Sequence, residues 1–310
     1  MSTLNLFSFP KVVRIEPASQ CNLSCSHCPT GTVDMNRGIM KQSCFNKTTD
    51  YISKYKEYIE VIVLYHGGEP LLNKNIYDYI KKLKKIKNEV FIKTVTNGMV
   101  LNKKNSQKIL DSGLDLIEIS LDGESKNESQ NIRKKSKSDL IIENLKYLIQ
   151  LKKDQKKTSP KICVSTTQFL KESDDNPINE SPPVPNWLIE LFSSDVEYKS
   201  TYALEWPHMG SIKDNYTLKV FDEDRESNYC DHVNNLMTIR SNGDVVACCY
   251  DLTSKLVMGN IMTDDPLEIW NNSKYKDLRE SIESKKFKSI CSNCAVVKPN
   301  KYLIKKSLNS

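Results

Sequence analysis

Three cysteines spaced Cys21-x3-Cys25-x2-Cys28 constrain this chain more than any other stretch. They follow the apolar run Val12-Val13-Arg14-Ile15, so the spacing predicts a tight loop at the end of a strand. Three thiolates on one loop can hold three irons of a 4Fe–4S cluster and leave the fourth open to a chelating molecule. Zinc is the rival ion. Zinc knuckles more often pair their cysteines as Cys-x2-Cys, and a closed structural zinc site needs four ligands. Chance clustering is the blander alternative, but grouped cysteines in non-secreted chains usually mean metal or redox chemistry.

Ten cysteines stand in 310 residues. Met1 to Pro10 has neither the basic region nor the apolar stretch of a signal peptide. No apolar run reaches the roughly 18 residues that a membrane helix needs. The expected compartment is therefore the reducing cytoplasm, where thiols do not pair as disulfides. The cysteines fall into two groups, Cys21/Cys25/Cys28 and Cys230/Cys248/Cys249/Cys291/Cys294, with Cys44 and Cys163 outside them. The net charge of +6 comes from dispersed lysines such as Lys81, Lys82, Lys84, Lys85, Lys134 and Lys135. Nucleic-acid binding is one reading of that charge. Solvated helix faces are the preferred one, because the lysines are scattered and not interleaved with aromatics.

Apolar runs predict strands at 11–16, 60–65, 90–96, 116–121, 162–167 and 196–202. Helical spacing marks 44–59, the segment from Ile76 to Ile86, 106–112, the segment from Ile141 to Ile149, and 187–192. Such alternation is the signature of βαβ units and a parallel sheet. Each polar motif falls at the C-terminal end of a strand, the edge where α/β folds build their sites. The polar, proline-rich stretch 171–185 reads as a loop, and 206–228, with weak periodicity, as a linker.

Cys21, Cys25 and Cys28 are followed at successive strand ends by Gly67-Gly68-Glu69-Pro70, Thr96-Asn97-Gly98 and Ser120-Leu121-Asp122-Gly123. In that order these motifs resemble the radical S-adenosylmethionine (radical SAM) superfamily over residues 10–205. The resemblance implies an α/β fold, a partial (β/α)6 barrel. It also implies a SAM-binding 4Fe–4S cluster on the three cysteines. The open iron would chelate SAM, the reduced cluster would donate an electron to the sulfonium, and a 5′-deoxyadenosyl radical would abstract a substrate hydrogen. Gly67 and Gly68 permit close backbone approach, as a plain strand-to-helix turn would also need. Under the resemblance that turn meets the methionine ammonium, with Glu69 as an anionic acceptor. Ser120 resembles a polar contact to the cofactor. Arg133 resembles the arginine that pairs with the methionine carboxylate, a task its bidentate fork suits; a solvated residue in the basic run 133–135 is the alternative. Asn97 and Asp122 would line the pocket, or serve as turn residues. His27 stands where the superfamily usually places an aromatic residue before the third cysteine. An imidazole can still stack there. His66 is expected at a strand end near the cofactor.

In the second group, Asn242-Gly243 signals a hairpin before Cys248. The pattern Cys230, Cys248 and Cys291-x2-Cys294 resembles the C-terminal auxiliary-cluster module of radical SAM enzymes, the SPASM type, in its shortened twitch form over 229–300. The resemblance implies a second, auxiliary 4Fe–4S cluster on Cys230, Cys248, Cys291 and Cys294. Cys249 would be a spare thiol or a substitute for Cys248. A structural zinc site is the alternative. A cluster closed by four thiolates can accept or relay an electron. The expected function is therefore oxidation or epimerisation of a sugar- or aminocyclitol-like small molecule, with flavodoxin or ferredoxin as electron donor. The alternatives are a peptide-modifying radical SAM/SPASM maturase and, from another class, a zinc-containing nucleic-acid-binding protein. Neither a membrane nor nucleic acid is an expected partner.

Overall fold

The computed structural model describes residues 8–174, 181–209 and 216–306. Part of the proline-rich stretch and part of the expected linker lie outside the described residues. Six strands run parallel in chain order: β1 (Val12–Ile15), β2 (Val61–Val63), β3 (Phe91–Thr96), β4 (Leu116–Ser120), β5 (Lys161–Gln168) and β6 (Glu197–Tyr202). Between them lie α1 (Pro29–Thr32), α2 (Gln42–Lys54), α3 (Ile76–Ile86), α4 (Lys103–Leu110), α5 (Lys126–Ile132), α6 (Ser138–Asp154) and α7 (Asn186–Phe192). This is the expected α/β architecture, and it delivers every strand-end motif to one edge.

The helices form because their apolar stripes have somewhere to go. In α3, Ile76, Ile80 and Leu83 are fully buried, while Lys81 and Lys85 face solvent. Each such side chain contributes about 1.5–3 kcal/mol. Lys84, on the flank of α3, pairs with Asp115 at 2.7 Å. The lysine excess on this helix is therefore a solvated, paired face. α2 ends at Lys54, earlier than the expected 59, where Tyr55 leaves helical geometry. α4 begins earlier than expected, at Lys103, because Asn102 accepts the Asn105 amide and caps it.

The C-terminal segment is not detached from this sheet. After β7 (Tyr216–Val220) and α8 (Asp231–Asn235), β8 (Leu236–Ile239) pairs in parallel with β1. β9 (Asp244–Val246) and β10 (Val257–Asn260) follow antiparallel, giving the order β10-β9-β8-β1-β2-β3-β4-β5-β6. The Asn242-Gly243 hairpin is present between β8 and β9. Beyond lie α9 (Pro266–Trp270), α10 (Ser273–Glu283) and β11 (Lys301–Lys305). β11 pairs antiparallel with β7 in a separate two-stranded sheet. A strand thus occupies part of the stretch read as a linker. Its pattern is hard to see because Leu218 is turned outward while Tyr216 is buried.

Candidate functional site

The cysteine loop leaves β1 and is held by backbone contact on two sides. Ser24 N–H donates to Lys134 O at 3.0 Å and Ser26 N–H to Ile132 O at 3.2 Å, stitching the loop to the end of α5. On the other side Glu69 N–H donates to Gln20 O at 2.8 Å. The contact there is so close that a Cβ on Gly68 would stand 2.4 Å from the carbonyl oxygens of Ala18 and Gln20. Gly67 donates its amide to Glu16 Oε1 at 3.0 Å and accepts from the Thr30 hydroxyl. The Gly68 amide and carbonyl have no backbone partner among the described residues.

All ten cysteines are free thiols. Cys21, Cys25 and Cys28 lie in one another's electrostatic field. Burial pushes the Cys25 thiol up to about 12, opposed by the Arg133 guanidinium. Burial also raises Cys21, whose sulfur accepts from Leu23 N–H at 3.4 Å and stands 3.9 Å from Asn97 Nδ2. Among the described residues no three His, Cys, Asp or Glu side chains are drawn together around a single ion. The thiols are grouped but open. Three thiols beside a buried cation suit an anionic thiolate-bound cluster, since nearby positive charge favours thiolate.

Glu69 is used inside the fold. Its Oε1 accepts from Leu71 N–H at 3.0 Å and the Thr96 hydroxyl at 2.7 Å, and its Oε2 from Asn97 N–H at 2.7 Å. Burial raises its pKa, while these donors and Arg133 pull it back. The carboxylate therefore fixes the end of β3 against the glycine turn. The Asn97 side chain in turn donates to Asn22 Oδ1 at 2.7 Å.

Arg133 is buried, not solvated. Its Nη1 meets Asp122 Oδ2 at 2.7 Å, while Asp122 Oδ1 accepts from Thr167 N–H at 3.0 Å. His27 Nε2 lies 3.6 Å from the same Asp122 oxygen. Burial pushes the Asp122 carboxyl up, but Arg133 and His27 outweigh it and hold it below the ordinary value. Arg133 Nε is buried without a hydrogen-bond partner among the described residues. Ser120 shares a 3.3 Å hydroxyl contact with Ser165.

One group that sequence reading passed over is Glu16, which is fully buried at the end of β1. Besides the Gly67 amide it meets Arg240 Nε at 3.2 Å, Ser241 N–H at 3.1 Å and His66 Nδ1 at 3.3 Å. Burial opposes its charge, but His66 and Arg240 hold the carboxyl far below its ordinary range. The available signal was an acid at the end of a strand, between Ile15 and Pro17.

Cys230, Cys248, Cys249, Cys291 and Cys294 are all buried and linked by mutual electrostatic effects. Burial lifts Cys291 to about 12 and Cys294 to about 11. Cys249 acts electrostatically on Cys248 and Cys294, and its own sulfur lies 3.5 Å from His232 Nδ1, in the field of Arg14.

β7 leans on the first cysteine loop. Tyr216 and Ser26 share a 2.5 Å hydroxyl contact, Phe169 stacks on Tyr216 at 5.1 Å, and His27 meets Phe169 edge-on at 5.7 Å. Beside this stack opens a cavity of about 630 Å³, with Glu128, Gln168, Lys171 and Lys305 among its lining residues. A neighbouring cavity of about 440 Å³ adds Trp187 and Tyr202. No helix among the described residues is long and apolar enough to cross a membrane.

The Radical SAM superfamily model matches residues 15–177, and an iron-sulfur cluster-binding domain model (SPASM) matches residues 230–295. Among curated proteins, the GTP 3′,8-cyclase of Staphylococcus haemolyticus is 29% identical over 150 residues, 45% of this chain and 42% of that protein. A probable GTP 3′,8-cyclase of Methanococcus aeolicus is 36% identical over 116 residues, 36% of this chain and 37% of that protein. The chain thus spans about 40% of the length of these relatives. Among solved structures, BtrN in complex with AdoMet and 2-DOIA has a TM-score of 0.60 at 18% identity, covering 93% of this chain and 94% of that one. SuiB of Streptococcus suis bound to precursor peptide SuiA has a TM-score of 0.63 at 16% identity, covering 89% and 68%. The two family models imply a SAM-binding 4Fe–4S cluster, an auxiliary cluster and SAM itself, and they leave the zinc-containing nucleic-acid-binding reading without support. With more than half of its residues matched, this chain belongs to the radical SAM superfamily and carries a C-terminal SPASM iron–sulfur domain.

Proposed function

We propose that this chain is a radical SAM oxidoreductase that oxidises or epimerises a small polar molecule of the sugar or aminocyclitol kind. When bound, the cluster and SAM supply one-electron cleavage and hydrogen-atom abstraction. The residues do the rest. Cys21, Cys25 and Cys28 hold the first cluster. The Gly68 carbonyl, without a backbone partner among the described residues, would accept from the methionine ammonium, and Glu69 shapes that turn. Arg133, whose Nε has no partner among the described residues, would pair with the carboxylate of SAM, and Asn97 and Ser120 would line the pocket. Cys230, Cys248, Cys291 and Cys294 would hold the auxiliary cluster, which would supply an electron acceptor where the substrate is oxidised. A flavodoxin or ferredoxin supplies the reducing electron. Ten unpaired thiols suit the reducing cytoplasm.

The observation that carries the substrate class is the cavity of about 630 Å³ beside the His27–Phe169–Tyr216 stack. Its volume suits a small molecule. Its lining carries both signs of charge, from Glu124, Glu128 and Glu172 to Lys171 and Lys305, which suits hydroxyl and amino groups. Of the structures similar in fold, BtrN is bound to AdoMet and 2-DOIA, while SuiB is bound to its precursor peptide, which supports a peptide instead. The test is anaerobic incubation of the reconstituted protein with SAM and a panel of aminocyclitols, sugars and cysteine-containing peptides. Aminocyclitols or sugars should stimulate 5′-deoxyadenosine formation and transfer a substrate hydrogen into it; stimulation by peptides alone would overturn the assignment.

A further inference from the structure

Buried polar contacts join the loop of the second cysteine group to the glycine turn beside the first, and one of them runs through His66. On one side His66 Nδ1 faces Glu16 Oε1 at 3.3 Å. On the other its Nε2 contacts the Cys249 carbonyl at 3.2 Å, 183 residues away. The side chain is almost wholly buried, with 1% of its surface exposed. Glu16 then passes the connection to the glycine turn, since the oxygen facing His66 also accepts the Gly67 amide at 3.0 Å. Its second oxygen is held from the SPASM side by Arg240 Nε and Ser241 N–H, at 3.2 and 3.1 Å. Arg240 itself is fixed by the Ser254 hydroxyl, in the loop that follows the cysteine pair Cys248-Cys249.

We infer that His66 and Glu16 are positioning residues that couple the auxiliary-cluster loop to the SAM-binding glycine turn. The inference rests on the proposed placement of SAM at Gly67–Glu69 and of the auxiliary cluster on Cys230, Cys248, Cys291 and Cys294. The physical argument is one of few degrees of freedom. Gly67 has no side chain, its amide is committed to Glu16, and its carbonyl to Thr30. Its neighbour Gly68 is pressed against the Ala18–Gln20 backbone. The turn can therefore move only with Glu16 or with the loop stem. Glu16, fully buried, can move only with its four partners. Two of those partners, Arg240 and Ser241, belong to the SPASM segment, and a third, His66, touches it. Ordering the Cys248–Cys249 loop around its metal group fixes the Cys249 carbonyl, and with it His66, Glu16 and the Gly67 amide. A ligand at one end then favours the arrangement that the other end needs, which is reciprocal coupling between two sites.

The test is a double-mutant cycle read by SAM binding, not by turnover. SAM affinity is measured anaerobically on the reconstituted protein, with the SAM-dependent change in the reduced first cluster's paramagnetic spectrum as a second readout. In the otherwise unaltered protein, Cys291→Ala with Cys294→Ala should weaken SAM binding by roughly five-fold or more, the lower end of ordinary coupling. In a His66→Leu background the same cysteine changes should produce less than about a two-fold further effect. His66→Gln, which keeps the volume and one polar contact, serves where the leucine variant does not fold, and should retain an intermediate coupling. Equal weakening in both backgrounds would show that coupling bypasses His66 and overturn the inference. No weakening in the unaltered background would show that the two sites are independent, and would overturn it as well. A protein that binds no SAM at all sinks the placement of SAM along with the coupling, which separates that failure from the other two.

Discussion

The side-chain amide of Asn97 stands 3.9 Å from the Cys21 sulfur while donating to Asn22 Oδ1 at 2.7 Å. Asn97 thereby joins the end of β3 to the first cysteine of the loop. Hydrogen bonds to cluster sulfurs raise reduction potential, and partners of metal-bound residues commonly matter about 10–100-fold in affinity or activity. Asn97→Ala should lower the midpoint potential of the SAM-binding cluster and slow SAM cleavage by roughly ten-fold. Potentiometric titration followed by electron paramagnetic resonance checks it. An unchanged potential would leave Asn97 as a turn residue only.

Changing Cys21, Cys25 and Cys28 together to Ala should remove about half of the roughly eight irons expected for two four-iron clusters. All SAM cleavage should go with them. Iron and sulfide analysis, with chromatography of 5′-deoxyadenosine, reads both. Retained cleavage would mean that the proposed ligand set is wrong. The converse change, Cys291→Ala with Cys294→Ala, should spare uncoupled cleavage at saturating SAM but stop turnover of the substrate.

Asp122 and Arg133 make a prediction about pH. Asp122 is buried and its pKa lies below the ordinary value, because the Arg133 and His27 effects exceed the burial cost. A group depressed in the folded state stabilises the fold above its unfolded pKa of about 3.9, and that contribution is lost as pH falls through the folded value. Melting temperature should therefore drop steeply below about pH 4. Asp122→Asn leaves a buried guanidinium without its counter-charge and should cost about 3–5 kcal/mol at neutral pH. In that variant the difference from the unaltered protein should shrink as pH falls. Parallel melting curves at all pH values would rule the pair out as the source.

The strands, the two cysteine groups and the turn motifs were legible because their signals are local. Alternating apolar runs announce β1 to β6, and spacing alone groups the thiols. What escaped was what depends on distant partners. Glu16 looks like a stray acid until Arg240, 224 positions later, is beside it. Arg133 reads either as a carboxylate-pairing arginine or as a solvated member of a basic run, and only the fold turns it inward onto Asp122. Glu69 reads as a free acceptor, yet three donors from its own turn and from β3 already fill it. β7 was hidden in an apparent linker because its strand partner among the described residues, β11, comes only at Lys301–Lys305. The join of β8 to β1 likewise follows from no local pattern.

Gly68 offers the sharpest test of how the cysteine loop is seated. A Cβ there would stand 2.4 Å from two carbonyl oxygens and 2.6 Å from the Ser19 carbonyl carbon. All of these are backbone atoms, so no side chain can swing away. The stem cannot retreat easily either, since Ser19 N–H is bonded to Gly38 O and Gln20 O to Glu69 N–H, both at 2.8 Å. Gly68→Ala must therefore push the glycine turn and the loop stem apart, at a cost of about 1–3 kcal/mol or more. The thiols of the first group should then fail to converge, while the second group is untouched, leaving about four irons per chain and no SAM binding. Gly38→Ala is the matched control, because its added Cβ meets nothing within 4 Å and should leave iron content and SAM affinity unchanged. If Gly68→Ala retained both its iron and its SAM affinity, the contact between the turn and the loop stem would not be what shapes the site.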